Sequence, residues 1–74
     1  MNIKTFLKER RKHLDLSQRQ VSELCGVSNA YLSQIESGER DIYSLRLLLK
    51  ISIGYQIEYT RLINMVVAEI LRDI

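Results

Sequence analysis

An all-α fold is what this 74-residue chain predicts, and three observations carry that expectation. Apolar residues recur at three- and four-residue spacing along nearly the whole sequence, which is the period of an amphipathic helix. Proline is absent and glycine occurs three times, so few residues interrupt helices. Residues 17–36, SQRQVSELCGVSNAYLSQIE, carry start and stop signals for two short helices joined by a tight turn. An apolar fraction of 46% with 27% charged residues argues for a folded chain. The length suits a single domain over residues 1–74, with a core so small that oligomerisation helps it.

The first helix is expected over roughly residues 2–13, with Ile3, Phe6, Leu7 and Leu14 along its inner stripe. Asp15 follows at a corner, and aspartate tolerates the left-handed conformation better than most residues. Ser17 opens the second helix: its hydroxyl can accept from a first-turn amide while Gln20 reaches back, a capping box. Val21 and Leu24 are the expected inward pair of that helix. Gly26 ends it where a positive φ is wanted, Val27 plugs the turn, and Ser28 caps the third helix. There Leu32 and Ile35 face inward, leaving Asn29, Ala30, Tyr31, Ser33 and Gln34 outward. Beyond Gly38, the loop Glu39-Arg40-Asp41-Ile42-Tyr43 leads to Ser44, the cap of a fourth helix with Leu45, Leu48, Leu49 and Ile51 available for burial. Gly54-Tyr55-Gln56-Ile57 forms the next corner, and a fifth helix runs over about residues 58–73.

A helix–turn–helix that holds small, hydrogen-bonding side chains on an exposed helix start is the shape that enters a DNA major groove. Asn and Gln can pair bidentately with adenine, and alanine can lie against a thymine methyl. Asn29, Ala30 and Gln34 are therefore candidate base readers, with Ser33 second to them. Tyr31 either contacts a phosphate or a thymine methyl, or packs on the second helix. Because the third helix contains no arginine or lysine, A·T-containing half-sites are expected. The net charge of +2 is unevenly spread: residues 1–19 carry six basic side chains against two acidic ones. That basic first helix either meets phosphates at the flank of the site or is an ordinary solvated face. Arg40 and Arg46 are further phosphate candidates.

Other chemistries find little support. One histidine and one cysteine provide no disulfide, metal site or nucleophile–base pair, and there is no Gly-rich phosphate loop, so no enzyme activity, cofactor or small-molecule ligand is expected. Cys25 reads as a half-buried inert thiol. No signal-peptide core and no membrane span are recognisable, which leaves the cytoplasm as the expected compartment.

Arg11, Leu16-Ser17-Gln18, Gly26-Val27-Ser28, Leu32-Ser33, Ile35-Glu36 and Gly38 together resemble the lambda repressor/Cro-like (Xre-type) helix-turn-helix family, from about Ile3 to about Ile63. The resemblance implies a compact bundle of about five helices that binds operator DNA, commonly as a dimer. It also implies that Gln18 contacts a phosphate and braces the third helix, that Ser28 touches a phosphate, and that Arg11 and Glu36 form an internal ion pair. The sequence departs from the family at Asp15, where glycine is usual, and in the proline-free loop after Gly38.

The C-terminal segment adds a second feature. Leu62, Ile63, Val66, Val67, Ile70, Leu71 and Ile74 form a stripe wider than one small core absorbs. Leu62 and Ile63 are expected inward, and Val66, Val67, Ile70, Leu71 and Ile74 are expected to build a homodimer interface. These features favour a sequence-specific transcriptional regulator of the repressor or controller type, binding a short palindromic operator. The alternative is a protein-interaction module, such as an antitoxin, whose apolar fifth helix binds a partner protein.

Overall fold

The computed structural model describes residues 2–42 and 44–72. Five helices follow one another: α1 (Ile3–His13), α2 (Gln18–Cys25), α3 (Asn29–Ser37), α4 (Leu45–Gly54) and α5 (Tyr59–Arg72). No strand occurs among the described residues, so the chain is an all-α helix-turn-helix domain. The starts of α1, α2, α3 and α4 are each set by a local cap that satisfies amides lacking an intrahelical partner. Asn2 accepts from the Thr5 amide, Ser28 from Tyr31 and Ser44 from Leu47. At α2 the full capping box forms: Ser17 Oγ accepts from the Gln20 amide at 3.1 Å, and the Ser17 amide donates to Gln20 Oε1 at 2.8 Å.

Glycine closes α2 and α3, with φ of 72° at Gly26 and 86° at Gly38. Two other corners use left-handed residues that are not glycine, Asp15 (φ 58°) and Gln56 (φ 55°). Such a residue costs roughly 1–2 kcal/mol, and adjacent arginines of α1 hold both corners. Arg10 donates to the carbonyls of Tyr55 and Gln56 at 3.1 and 2.8 Å, and Arg11 Nη1 donates to Leu16 O at 3.1 Å. Two of the five lysines and arginines of the first helix, expected to give it a basic surface, are thus spent on holding turns. Lys4, Lys8 and Lys12 remain exposed.

The core gathers Leu7, Val21, Leu32, Ile35, Ile51, Tyr55 and Leu62, all with essentially no exposed surface. Its pattern corrects the sequence reading in two places. Leu24 is 53% exposed, and α2 instead buries Val21, Ser22 and Cys25. The physical reason lies in α4: a Cβ built on Gly54 would sit 2.0 Å from Cys25 Sγ, so glycine admits the thiol and turns α2 to bury position 25. Cys25 is accordingly buried rather than half-buried. On α4, Leu48 and Ile51 are buried, whereas Leu45 is 64% and Ile53 70% exposed, with Leu49 also on the surface.

At the other end of the molecule, Glu69 of α5 accepts from the Ile3 amide at 2.5 Å. A carboxylate there complements the positive end of the α1 dipole and fastens the C-terminal helix across the start of the chain.

Candidate nucleic-acid interface

Four helices meet at one carboxylate. Glu36, buried at the end of α3, accepts from Arg11 Nε at 2.9 Å and Nη2 at 2.9 Å, a fork-like pairing with α1. Gln18 Nε2, from the first turn of α2, donates to the same group at 3.3 Å. The Tyr55 hydroxyl, from the residue after α4, donates to Glu36 Oε2 at 2.5 Å. Burial pushes the Glu36 carboxyl upward, but the Arg11, Tyr55 and Gln18 hydrogen bonds outweigh it and hold the group below the usual carboxylate range. The same pairing raises Arg11, and burial together with Glu36 raises Tyr55. No buried side-chain nitrogen or oxygen among the described residues lacks a hydrogen-bond partner. A buried ion pair is expensive unless its remaining polar atoms are satisfied, and here the tyrosine and glutamine complete it.

This hub fixes the angle between α2 and α3, and with it the exposed row on α3. Asn29, Ala30 and Ser33 are exposed, and Ser28 lies exposed at the cap with its Oγ engaged by the Tyr31 amide at 3.1 Å. Tyr31 and Gln34 are half-buried along one flank of the helix. Arg40, from the turn after α3, donates through Nε to Gln34 Oε1 and lies over the Tyr31 ring, 5.1 Å from its centroid. Gln18 sits where α2 meets α3, half-buried because its amide points at Glu36. The candidate readers thus share one side of the molecule, while Gln34 and Arg40 form a couple rather than two separate contacts.

A shallow cleft beside the turn is lined by Gly26, Val27, Tyr31 and Ser44, with Arg46 and Lys50 of α4 at its edge. Lys50 was not singled out from sequence, although its spacing four residues after Arg46 places both on one helix face. Tyr55 was also missed. The partner of its hydroxyl lies nineteen positions away, and no local pattern reports such a contact.

On α5, Leu62 is buried and Ile63 partly so, as expected. Val66, expected at an interface, is partly buried against the core of its own chain. Val67, Ile70 and Leu71 are exposed, and Ile74, like Tyr43 of the loop, lies outside the described residues. A groove between α4 and α5 is lined by Leu45, Leu48, Ile63, Val66, Val67 and Ile70. No helix among the described residues is long and apolar enough to cross a membrane.

Capped helices on either side of the Gly26 turn, with a polar exposed row on the second, define a helix-turn-helix domain. A family model described as helix-turn-helix matches residues 7–62, more than half of the chain. The chain belongs to the lambda repressor-like (Xre-type) helix-turn-helix family, whose members are DNA-binding transcriptional regulators. Among solved structures it is similar to the wild-type restriction–modification controller protein C.Esp1396I, with 22% identity and a TM-score of 0.71. It is also similar to a tyrosine-to-alanine mutant of that protein, with 20% identity and a TM-score of 0.72. Both alignments cover 93% of this chain and 88% of the other, and at this identity they speak to the fold. No curated protein matches the sequence.

Proposed function

We propose that the protein is a sequence-specific transcriptional regulator of the repressor or controller type, which binds a short palindromic operator as a homodimer with α3 in the major groove. The observation that carries this reading is the exposed row Asn29, Ala30 and Ser33, held at a fixed angle to α2 by the Glu36 hub. Asn29 and Ala30 suit an adenine edge and a thymine methyl. Gln18, Ser28, Arg46 and Lys50 surround the row and suit phosphates. The likeness in fold to a controller protein agrees with this role. The protein acts by occupying DNA in the cytoplasm, without catalysis, metal or cofactor.

The dimer reading rests on two adjacent apolar rows. Leu45, Leu49 and Ile53 follow one another at four-residue spacing on the outer face of α4, and Val67, Ile70 and Leu71 are exposed on α5. A two-fold axis through this face is self-complementary. It would set two copies of α3 about 34 Å apart, one turn of B-DNA. Selection of bound sequences from random duplex DNA at physiological salt tests the whole reading. Enrichment of an inverted repeat with half-sites one turn apart is the expected outcome. Binding to all sequences alike would overturn it and favour a module whose apolar face serves a different protein.

A further inference from the structure

Resting on that DNA-binding reading, we propose that Arg40 is a specificity-determining residue: by engaging Gln34 it converts that position from an adenine reader into a guanine reader. The sequence alone assigned Arg40 to phosphate and left α3 without a cation. In the folded chain Arg40 is tied to α3 three times. Its amide donates to Gln34 O at 3.2 Å, its Nε donates to Gln34 Oε1, and its guanidinium lies 5.1 Å from the Tyr31 ring centroid. Tyr31 and Gln34 are three residues apart and share a helix face, so the aromatic ring and the carboxamide hold one guanidinium from two sides.

Chemistry fixes the orientation of the carboxamide. A guanidinium only donates, so the atom facing Arg40 must be the Gln34 oxygen. Adenine reading needs that oxygen to accept from the N6 amino group while the amide nitrogen donates to N7. With a guanidinium at the oxygen, an approaching amino group meets a like donor and a positive charge. Guanine presents two acceptors on the same edge, O6 and N7. The amide N–H of Gln34 and the guanidinium N–H groups of Arg40 form a donor set matched to that edge, and Arg forks are the commonest guanine contact. The couple therefore selects G·C at one position of each half-site, within a site whose other readers favour A·T.

The test is parallel selection from random duplexes with the wild-type protein and with Arg40→Ala, Arg40→Lys and Gln34→Ala. The position read by the couple is the one whose preference disappears in Gln34→Ala. Wild type is expected to enrich guanine there. Arg40→Ala is expected to switch the preference to adenine and to bind the wild-type site roughly five- to 150-fold more weakly. Arg40→Lys keeps the charge and a donor but not the planar fork, and is expected to weaken the guanine preference while preserving the salt dependence of binding. Arg40 is exposed, so its replacement leaves the core intact, and a thermal melt of each variant checks this. An unchanged preference in Arg40→Ala, with uniformly weaker binding and a salt slope smaller by about one, would make Arg40 a phosphate contact and overturn the inference. Adenine enriched at that position by wild type would overturn it too, leaving the regulator reading intact. Failure of wild type to enrich any sequence would overturn both.

Discussion

Replacing Tyr55 with phenylalanine isolates one bond of the Glu36 hub. The ring is fully buried and phenylalanine fills the same space, so the substitution removes only the hydroxyl that donates to Glu36 at 2.5 Å. A hydrogen bond to a charged group contributes about 1.5–3 kcal/mol. Arg11 and Gln18 continue to donate to the carboxylate, so the group is weakened rather than stranded. Removing Glu36 itself would instead leave Arg11 without its carboxylate and cost roughly 3–5 kcal/mol. That approaches the whole stability of a small domain, about 5–15 kcal/mol, and would confound stability with binding. For a chain of this size about 2 kcal/mol lowers the melting temperature by on the order of 10 °C. The assay is thermal and urea unfolding followed by circular dichroism, at one fixed protein concentration. Its pH dependence adds a second check. Glu36 is held below the ordinary carboxylate range, so its stabilisation is present above the unfolded value of about 4.3 and is lost as pH falls through the folded value. The gap between wild type and Tyr55→Phe should be full at pH 7 and shrink toward pH 3. A gap under about 0.5 kcal/mol at pH 7, or one independent of pH, would refute the account of the hub.

Other outcomes follow from the same geometry. Gly54→Ala drives a methyl to within 2.0 Å of Cys25 Sγ and 3.0 Å of the Cys25 backbone nitrogen, so unfolding measurements should show a loss at the upper end of about 1–3 kcal/mol. Adding Cys25→Ala should restore only part of it, because the backbone contact stays. Burial pushes the Cys25 thiol up to about 11, so alkylation of the native protein at pH 8 should run far slower than in denaturant, and equal rates would contradict the burial. Val67→Glu combined with Ile70→Glu changes exposed positions, so the chain should keep its melting behaviour at low concentration while sedimenting as a monomer with weaker operator binding. An intact dimer in that variant would remove α5 from the interface.

What the sequence discloses here divides by range of interaction. Helix starts were legible because a cap involves residues three apart, as Ser17 and Gln20 show. The left-handed corner at Gly26 was legible for the same reason. Leu24 was misread because the face a short helix buries depends on what its neighbour offers, and the deciding residue, Gly54, lies twenty-nine positions from Cys25. Tyr55 and the Arg40–Gln34 couple escaped because each joins side chains that only the folded chain brings together. The exposed apolar row of α4 escaped because Leu45, Leu49 and Ile53 share their sequence signature with residues that fill a core.

The bond from the Ile3 amide to Glu69 bears on how the molecule assembles. It anchors the polar side of α5 to the chain's own beginning, while Leu62 anchors the helix in the core. The outer face of α5 is therefore presented by a helix already in place. In the proposed dimer, docking on such a face would immobilise few new torsions and so lose little conformational entropy. Association in that dimer would be a collision of preformed bodies, and the expected outcome is little change in helix content on dilution.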